Sequence, residues 1–223
     1  MTARADTATL VTIPTTRSAT QAFILIKPDH PVAAVILFAG GRGVLELETA
    51  SSRAANFLVR SRDKFAAHNF IVAVVDAPSD YQQHGMPMMF RVSPSHAGDI
   101  AAVVSYLKRE AAVPVWLIGT SAGTFSAAIG AIAGGVADMA LSEITVPTLV
   151  MSHSEDLCSA TPAADAAMLR MRLTKSSKAE IALVDGGDRP QSSPCEAKSA
   201  HGYFGIEAEA VDTIANFINS NSK

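Results

Sequence analysis

The chain has 223 residues, of which 48% are hydrophobic and 17% charged, and a formal net charge of −3. That length fits one large domain with a sizeable core, and no charge block, Pro-rich linker or Gly/Ser tract divides it, so residues 1–223 read as a single domain. Lys and Arg are scattered rather than striped, which excludes an electrostatic footprint for nucleic acid or anionic lipid. No stretch approaches the ~18–20 apolar residues of a membrane span. A neutral or mildly polar small molecule is the expected partner. The opening residues, MTARADTATLVTIP, lack the apolar core of a signal peptide, so the chain reads as intracellular or as a mature form carrying a new Met.

The first two Val/Ile-rich runs, 9–14 and 22–27, have no helix-length segment between them and predict an antiparallel, hairpin-like start. A third strand is expected over 33–40, followed by Gly40, Gly41, Arg42 and Gly43, where bare backbone can approach a ligand oxygen. A Gly-rich loop alone is a weak signal, but neither the GxxxxGK[ST] nor the GxGxxG phosphate pattern is present. The fourth strand, 70–77, leads into VVDAPSDYQQHGMPMMF, whose Tyr81 and His84, together with Arg42, are candidate substrate contacts. Met86, Met88 and Met89 there fit a pocket wall and adaptable core packing equally well. A helix follows, with Ser95 as its expected N-cap and Ile100, Val103, Val104 and Leu107 as its apolar face.

The fifth strand, 114–120, runs into Gly119-Thr120-Ser121-Ala122-Gly123 and then into small, helix-compatible residues. A strand passing directly into a helix is the context a G-x-S-x-G turn needs to lift the serine oxygen above the sheet edge. Glycine on both sides has a steric reason, because strand and helix approach closely there. A strand at 137–142 would come next, yet TVPTLVMSH begins almost at once. Parallel neighbours need a crossover of about a dozen residues, so a deleted or dropped segment is expected near 142–143. Further strands are expected at 147–153 and 179–187, and a last helix carries Val211, Ile214 and Ile218. Strands alternating with helices, most of them continuous apolar runs, predict an α/β architecture with a mostly parallel sheet covered on both faces.

A serine hydroxyl is a poor nucleophile and needs a base, and the base needs an acid to orient it. Downstream of Ser121 the histidines are His153 and His201. His201 lies in the polar loop SAHGYFG before the last helix and suits the base; His153, at a strand end ahead of the acids, reads as a packed imidazole. SHSEDLC offers Glu155 and Asp156, of which Asp156 is favoured, with Asp185 and Asp188 as the fallback. The N–H groups of Gly41 and Ala122 are the expected oxyanion donors.

Taken together, ILFAGGRG, VVDAPSD, PVWLIGTSAGT, HSEDLCSATP and PCEAKSAHGYFG resemble an α/β-hydrolase, similar to uncharacterised bacterial members of the dienelactone-hydrolase-like branch. The resemblance spans nearly the whole chain. It implies the α/β-hydrolase fold, Ser121, Asp156 and His201 as catalytic triad, and hydrolysis of small carboxylic esters through an acyl-enzyme without metal or cofactor. Two departures stand out: dienelactone hydrolases proper use Cys as nucleophile, and the segment usually found between the sixth and seventh strands is not visible. Thioesterase, amidase, peptidase or acyltransferase chemistry would use the same residues, and a non-catalytic binding protein could keep the same fold. A bond between Cys158 and Cys195 would tie the acid loop to the base loop, a role the resemblance also favours. It would point to the periplasm or secretion; two reduced thiols would point to the cytoplasm.

Overall fold

The computed structural model describes residues 7–47, 55–132 and 140–222. At its centre lie β3 (Ala33–Phe38) and β4 (Phe70–Val75), in which every residue is buried. Runs as apolar as AAVILF and FIVAVV require cover on both faces, and the alternation of side chains along each strand divides them between two cores. Val35, Leu37, Val72 and Val74 join one cluster, under α7 (Glu207–Asn221) with its Val211, Ile214 and Ile218. Ala34, Ile36, Phe38, Ala73 and Val75 join the other, under Ile100, Val103 and Leu107 of α4 (Pro94–Glu110) and Ile129 of α5 (Gly123–Ala131).

The sheet around them has the order β1-β2-β4-β3-β5, with β1 at Thr9–Pro14, β2 at Thr20–Ile26 and β5 at Val115–Gly119. The predicted hairpin start is present: β1 pairs antiparallel with β2, and β2 antiparallel with β4. From there the ladder turns parallel, β4 to β3 and β3 to β5. A second, two-stranded parallel ladder joins β6 (Thr148–His153) to β7 (Ala179–Val184), in register from Thr148 opposite Ala179 to His153 opposite Val184. Helix α6 (Asp165–Arg172) connects these two strands. Trp116 and Ile118 of β5 and Leu149 and Met151 of β6 pack on one apolar cluster.

Several expectations need correction. Helix α4 begins one residue before Ser95, and its cap is Ser93, whose Oγ accepts the His96 N–H at 3.2 Å. Pro94 decides this, since proline at the first helical position has no N–H to lose and a helical φ already set. Strands β5 to β7 are not buried on both faces, and on β7 Leu183 is 60% exposed. Of the strand expected over 137–142, residues 137–139 lie outside the described residues, and Leu141–Glu143 forms a single 3₁₀ turn closed by Glu143 N–H to Ala140 O at 2.8 Å. Ser142 and Glu143 are thus part of one continuous turn. The short helices α1 (Phe57–Arg60), α2 (Arg62–Ala67) and α3 (Met88–Arg91) carry no apolar periodicity long enough to announce them.

Candidate active site

Helix α5 starts four residues after β5 ends, and Ser121 occupies the turn with φ of +52°. A non-glycine residue in the left-handed region is strained, and such strain concentrates at functional positions. The flanking glycines are demanded by space. A Cβ on Gly119 would lie 2.2 Å from Gly123 O, and one on Gly123 would lie 2.1 Å from Phe38 O. Thr124 N–H to Ser121 O at 3.0 Å and Gly123 N–H to Thr120 O at 2.8 Å close the turn. Asn56 anchors it from outside: its Nδ2 donates to Thr120 Oγ1 at 3.1 Å while its Oδ1 caps α1.

The loop after β3 packs directly on this turn, since a Cβ on Gly40 would come 2.9 Å from Ser121 Cβ. Gly41 and Gly43 have φ of +59° and +73°, conformations open to glycine at little cost. Among the described residues nothing lies within 4 Å of where a Gly41 Cβ would project. Further along, buried Asp76 accepts the N–H groups of Leu45 at 2.7 Å, Leu47 at 3.1 Å and Ala77 at 2.7 Å, which fixes the loop's exit to the end of β4.

Across the sheet edge, the structure brings Asp156 and His201 together. Asp156 follows β6, and its Oδ2 lies 2.9 Å from His201 Nδ1, both side chains being at most 10% exposed. Asp156 Oδ1 accepts the Cys158 N–H at 2.8 Å, so the carboxylate is held by its own loop as well. With Nδ1–H engaged by the acid, Nε2 of His201 is the ring's acceptor. Thr161 Oγ1 lies 3.0 Å from the same Nδ1. Tyr203 supports the base loop from beneath, its OH donating to Met151 O at 3.1 Å, and burial first, then the Asp156 charge, push its phenol upward. Glu155, Asp185 and Asp188 are exposed and none meets His201. Among the described residues Ser121 Oγ makes no hydrogen bond.

No protein-family profile matches the chain, and no characterised protein matches it by sequence. Solved structures do match. An esterase of Pyrococcus furiosus superposes with a TM-score of 0.68 at 13% identity, over 98% of this chain and 94% of that one. A dienelactone hydrolase of Anabaena variabilis gives 0.68 at 12% identity, over 99% and 100%. A thermophilic esterase of Thermogutta terrifontis gives 0.62 at 13%, over 97% and 92%. This chain has the α/β-hydrolase fold.

Ser121 sits in the turn between β5 and α5, Asp156 follows β6, and His201 follows β7. His153 is a satisfied core imidazole, as its position in the chain suggested: Nε2 donates to Gly186 O at 2.9 Å and Nδ1 accepts the Glu155 N–H at 3.1 Å. Cys158 and Cys195 are bonded, so the loop carrying Asp156 is tied covalently to the segment leading to His201. A link between residues 37 apart in sequence stabilises by about 2–4 kcal/mol, mainly through the unfolded chain. Thermal unfolding with and without a dithiol reductant should therefore show a clear drop in Tm on reduction, and an unchanged Tm would remove the bond from the account. Asp156, Cys158 and His201 also place three ligand-type atoms within 4.8 Å of one another, but the sulfur belongs to the disulfide and is no thiolate.

The three expected substrate contacts lie on adjoining loops. Arg42 is exposed and donates to Gln83 O at 2.6 Å, and its own carbonyl accepts the Met86 N–H at 2.9 Å. Tyr81 is committed to stacking on Phe90, ring centroids 4.0 Å apart, whereas His84 is exposed. The methionines split: Met86 is buried beside Ala77 and Phe90, and Met89 is 70% exposed. Sequence reasoning missed a cleft of about 600 Å³ between the loops that carry Asp156 and His201, bordered by Glu155, Leu157, Gly187, Arg189, Ala200 and Phe204. Only the exposed Leu157 in an otherwise polar loop hinted at it.

Proposed function

We propose that this protein is a serine hydrolase that cleaves carboxylic esters of small molecules through an acyl-enzyme. The observation that carries the reading is the His201–Asp156 hydrogen bond, taken together with a serine held in a strained strand-to-helix turn. Esterase activity in the structural neighbours supports it. Ser121 Oγ attacks the ester carbonyl as His201 Nε2 takes its proton, and Asp156 stabilises the imidazolium that forms. The N–H groups of Gly41 and Ala122 receive the developing oxyanion. His201 then protonates the departing alcohol, and the same imidazole activates water to release the acid. The hydrogen bond from Ser121 to His201 forms with substrate in place, since catalytic contacts commonly tighten only in the complex. The disulfide supports an oxidising compartment for this chemistry, the periplasm or outside the cell.

A fluorophosphonate probe tests the reading directly. Wild-type protein is expected to label stoichiometrically and Ser121→Ala not at all. No labelling of the wild type, or equal labelling of both, would favour a binding protein that keeps the fold without turnover. A panel of ester, thioester and amide substrates then assigns the acyl linkage.

A further inference from the structure

Beneath the Gly40–Gly43 loop lies a charge that neither attack nor proton transfer employs. Arg91, the last residue of α3, is 0% exposed. Its Nη1 donates to Ser126 Oγ on the first turns of α5 at 2.9 Å, and its Nη2 donates to Gly41 O at 3.0 Å. A Cβ on Gly43 would lie 2.6 Å from that Nη2, so the loop rests directly on the guanidinium. His96 Nε2 lies 2.9 Å from the same Ser126 hydroxyl. Burial pushes His96 down to about 3, so it is a neutral ring and adds no second cation.

Among the described residues nothing anionic answers this cation. The nearby carboxylates Asp80 and Asp99 are taken by Arg17, and among the described residues no carboxylate pairs with Arg91. Burial lowers its pKa to about 10, which leaves it charged at neutral pH. Nε of Arg91 and Nδ1 of His96 lack any partner. A buried, unpaired cation costs several kcal/mol, and an apolar side chain of similar volume would fill the site at less expense to stability. A group kept at such a cost points to function.

We propose that Arg91 is a positioning residue for the oxyanion hole, clamping the Gly41 loop to helix α5 and setting a fixed positive charge behind both N–H donors. The inference rests on the reading of Ser121 as nucleophile. One arm of the fork holds the element that carries Gly41, and the other holds the helix that begins just after Ala122. The two proposed donors come from these two elements, so their spacing depends on this clamp. Charge on the substrate oxygen grows between carbonyl and tetrahedral intermediate, and a preorganised cation in a dry site favours the later state more than the earlier.

The test compares wild type, Arg91→Met and Arg91→Lys in the full chain, using a short-chain p-nitrophenyl ester, the fluorophosphonate probe and thermal unfolding. Arg91→Met is expected to keep or raise Tm while kcat falls roughly 10- to 100-fold and KM shifts less than about threefold. Probe labelling should slow in the same proportion as kcat. Arg91→Lys keeps the charge but cannot bridge Ser126 and Gly41 as a planar fork, so it should fall between the two. Wild-type kcat in Arg91→Met, or a loss that follows folded fraction or KM, would overturn the proposal. Should Arg91→Met not fold, Ser126→Ala removes one arm of the clamp and must still lower kcat at unchanged KM. If the wild type itself fails to label, the Ser121 reading falls first.

Discussion

Replacing Asp156 with Asn lowers kcat by roughly 10⁴-fold, with little change in KM or in folding. Asp156 Oδ2 faces His201 Nδ1 at 2.9 Å and can only accept there, which holds the ring hydrogen on Nδ1 and leaves Nε2 as the acceptor that the proposed mechanism requires. An amide turned the same way offers N–H to that nitrogen. The favoured tautomer then carries hydrogen on Nε2, where a base is needed. The Cys158 N–H at 2.8 Å can still be accepted by the amide oxygen, and the disulfide still ties the loop, so geometry should survive. Steady-state turnover of a short ester together with circular dichroism decides the matter. Near-normal kcat in a folded variant would move the acid to Glu155 or Asp185.

Gly123→Ala is expected to unfold the protein or to abolish its activity by displacing Ser121. The added methyl would lie 2.1 Å from Phe38 O and 2.8 Å from Phe38 C. That carbonyl ends the central strand β3, which is paired on both sides and also accepts the Thr120 N–H at 3.3 Å. Flexible side chains relieve overpacking for about 1–3 kcal/mol; backbone locked between two ladders has no such escape. Gly41→Ala is the control, because among the described residues no atom lies within 4 Å of its Cβ position and the expected cost is that of the +59° φ, about 1–2 kcal/mol. Urea unfolding midpoints measure both. A Gly123→Ala protein with the wild-type midpoint and turnover would contradict the steric account of the turn.

Much of this was legible in the residues because it is local. Val/Ile-rich runs located every strand among the described residues, with one further strand expected over 137–142 where Leu141–Glu143 is a 3₁₀ turn, and the pentad's glycines announced a close approach that the Gly119 and Gly123 contacts bear out. Chain order favoured His201 over His153, Asp156 was the favoured one of several carboxylates, and the structure brings those two together. What stayed hidden is non-local. Whether β5 and β6 share a ladder depends on pairing across distance, which no run of letters records. The cap of α4 was misplaced by two residues because Ser93 and Ser95 look alike until Pro94 is weighed. Arg91, His96 and Ser126 are single polar letters in three separate segments. Only folding reveals that they meet under the Gly41 loop.

The division into two ladders has an evolutionary corollary. In the proposed mechanism, attack and charge stabilisation belong to the five-stranded sheet and proton traffic to the strand pair β6–β7. Each half can therefore drift in sequence under its own constraints. New specificities should arise most readily by reshaping the walls along that boundary, with the chemistry on either bank inherited intact.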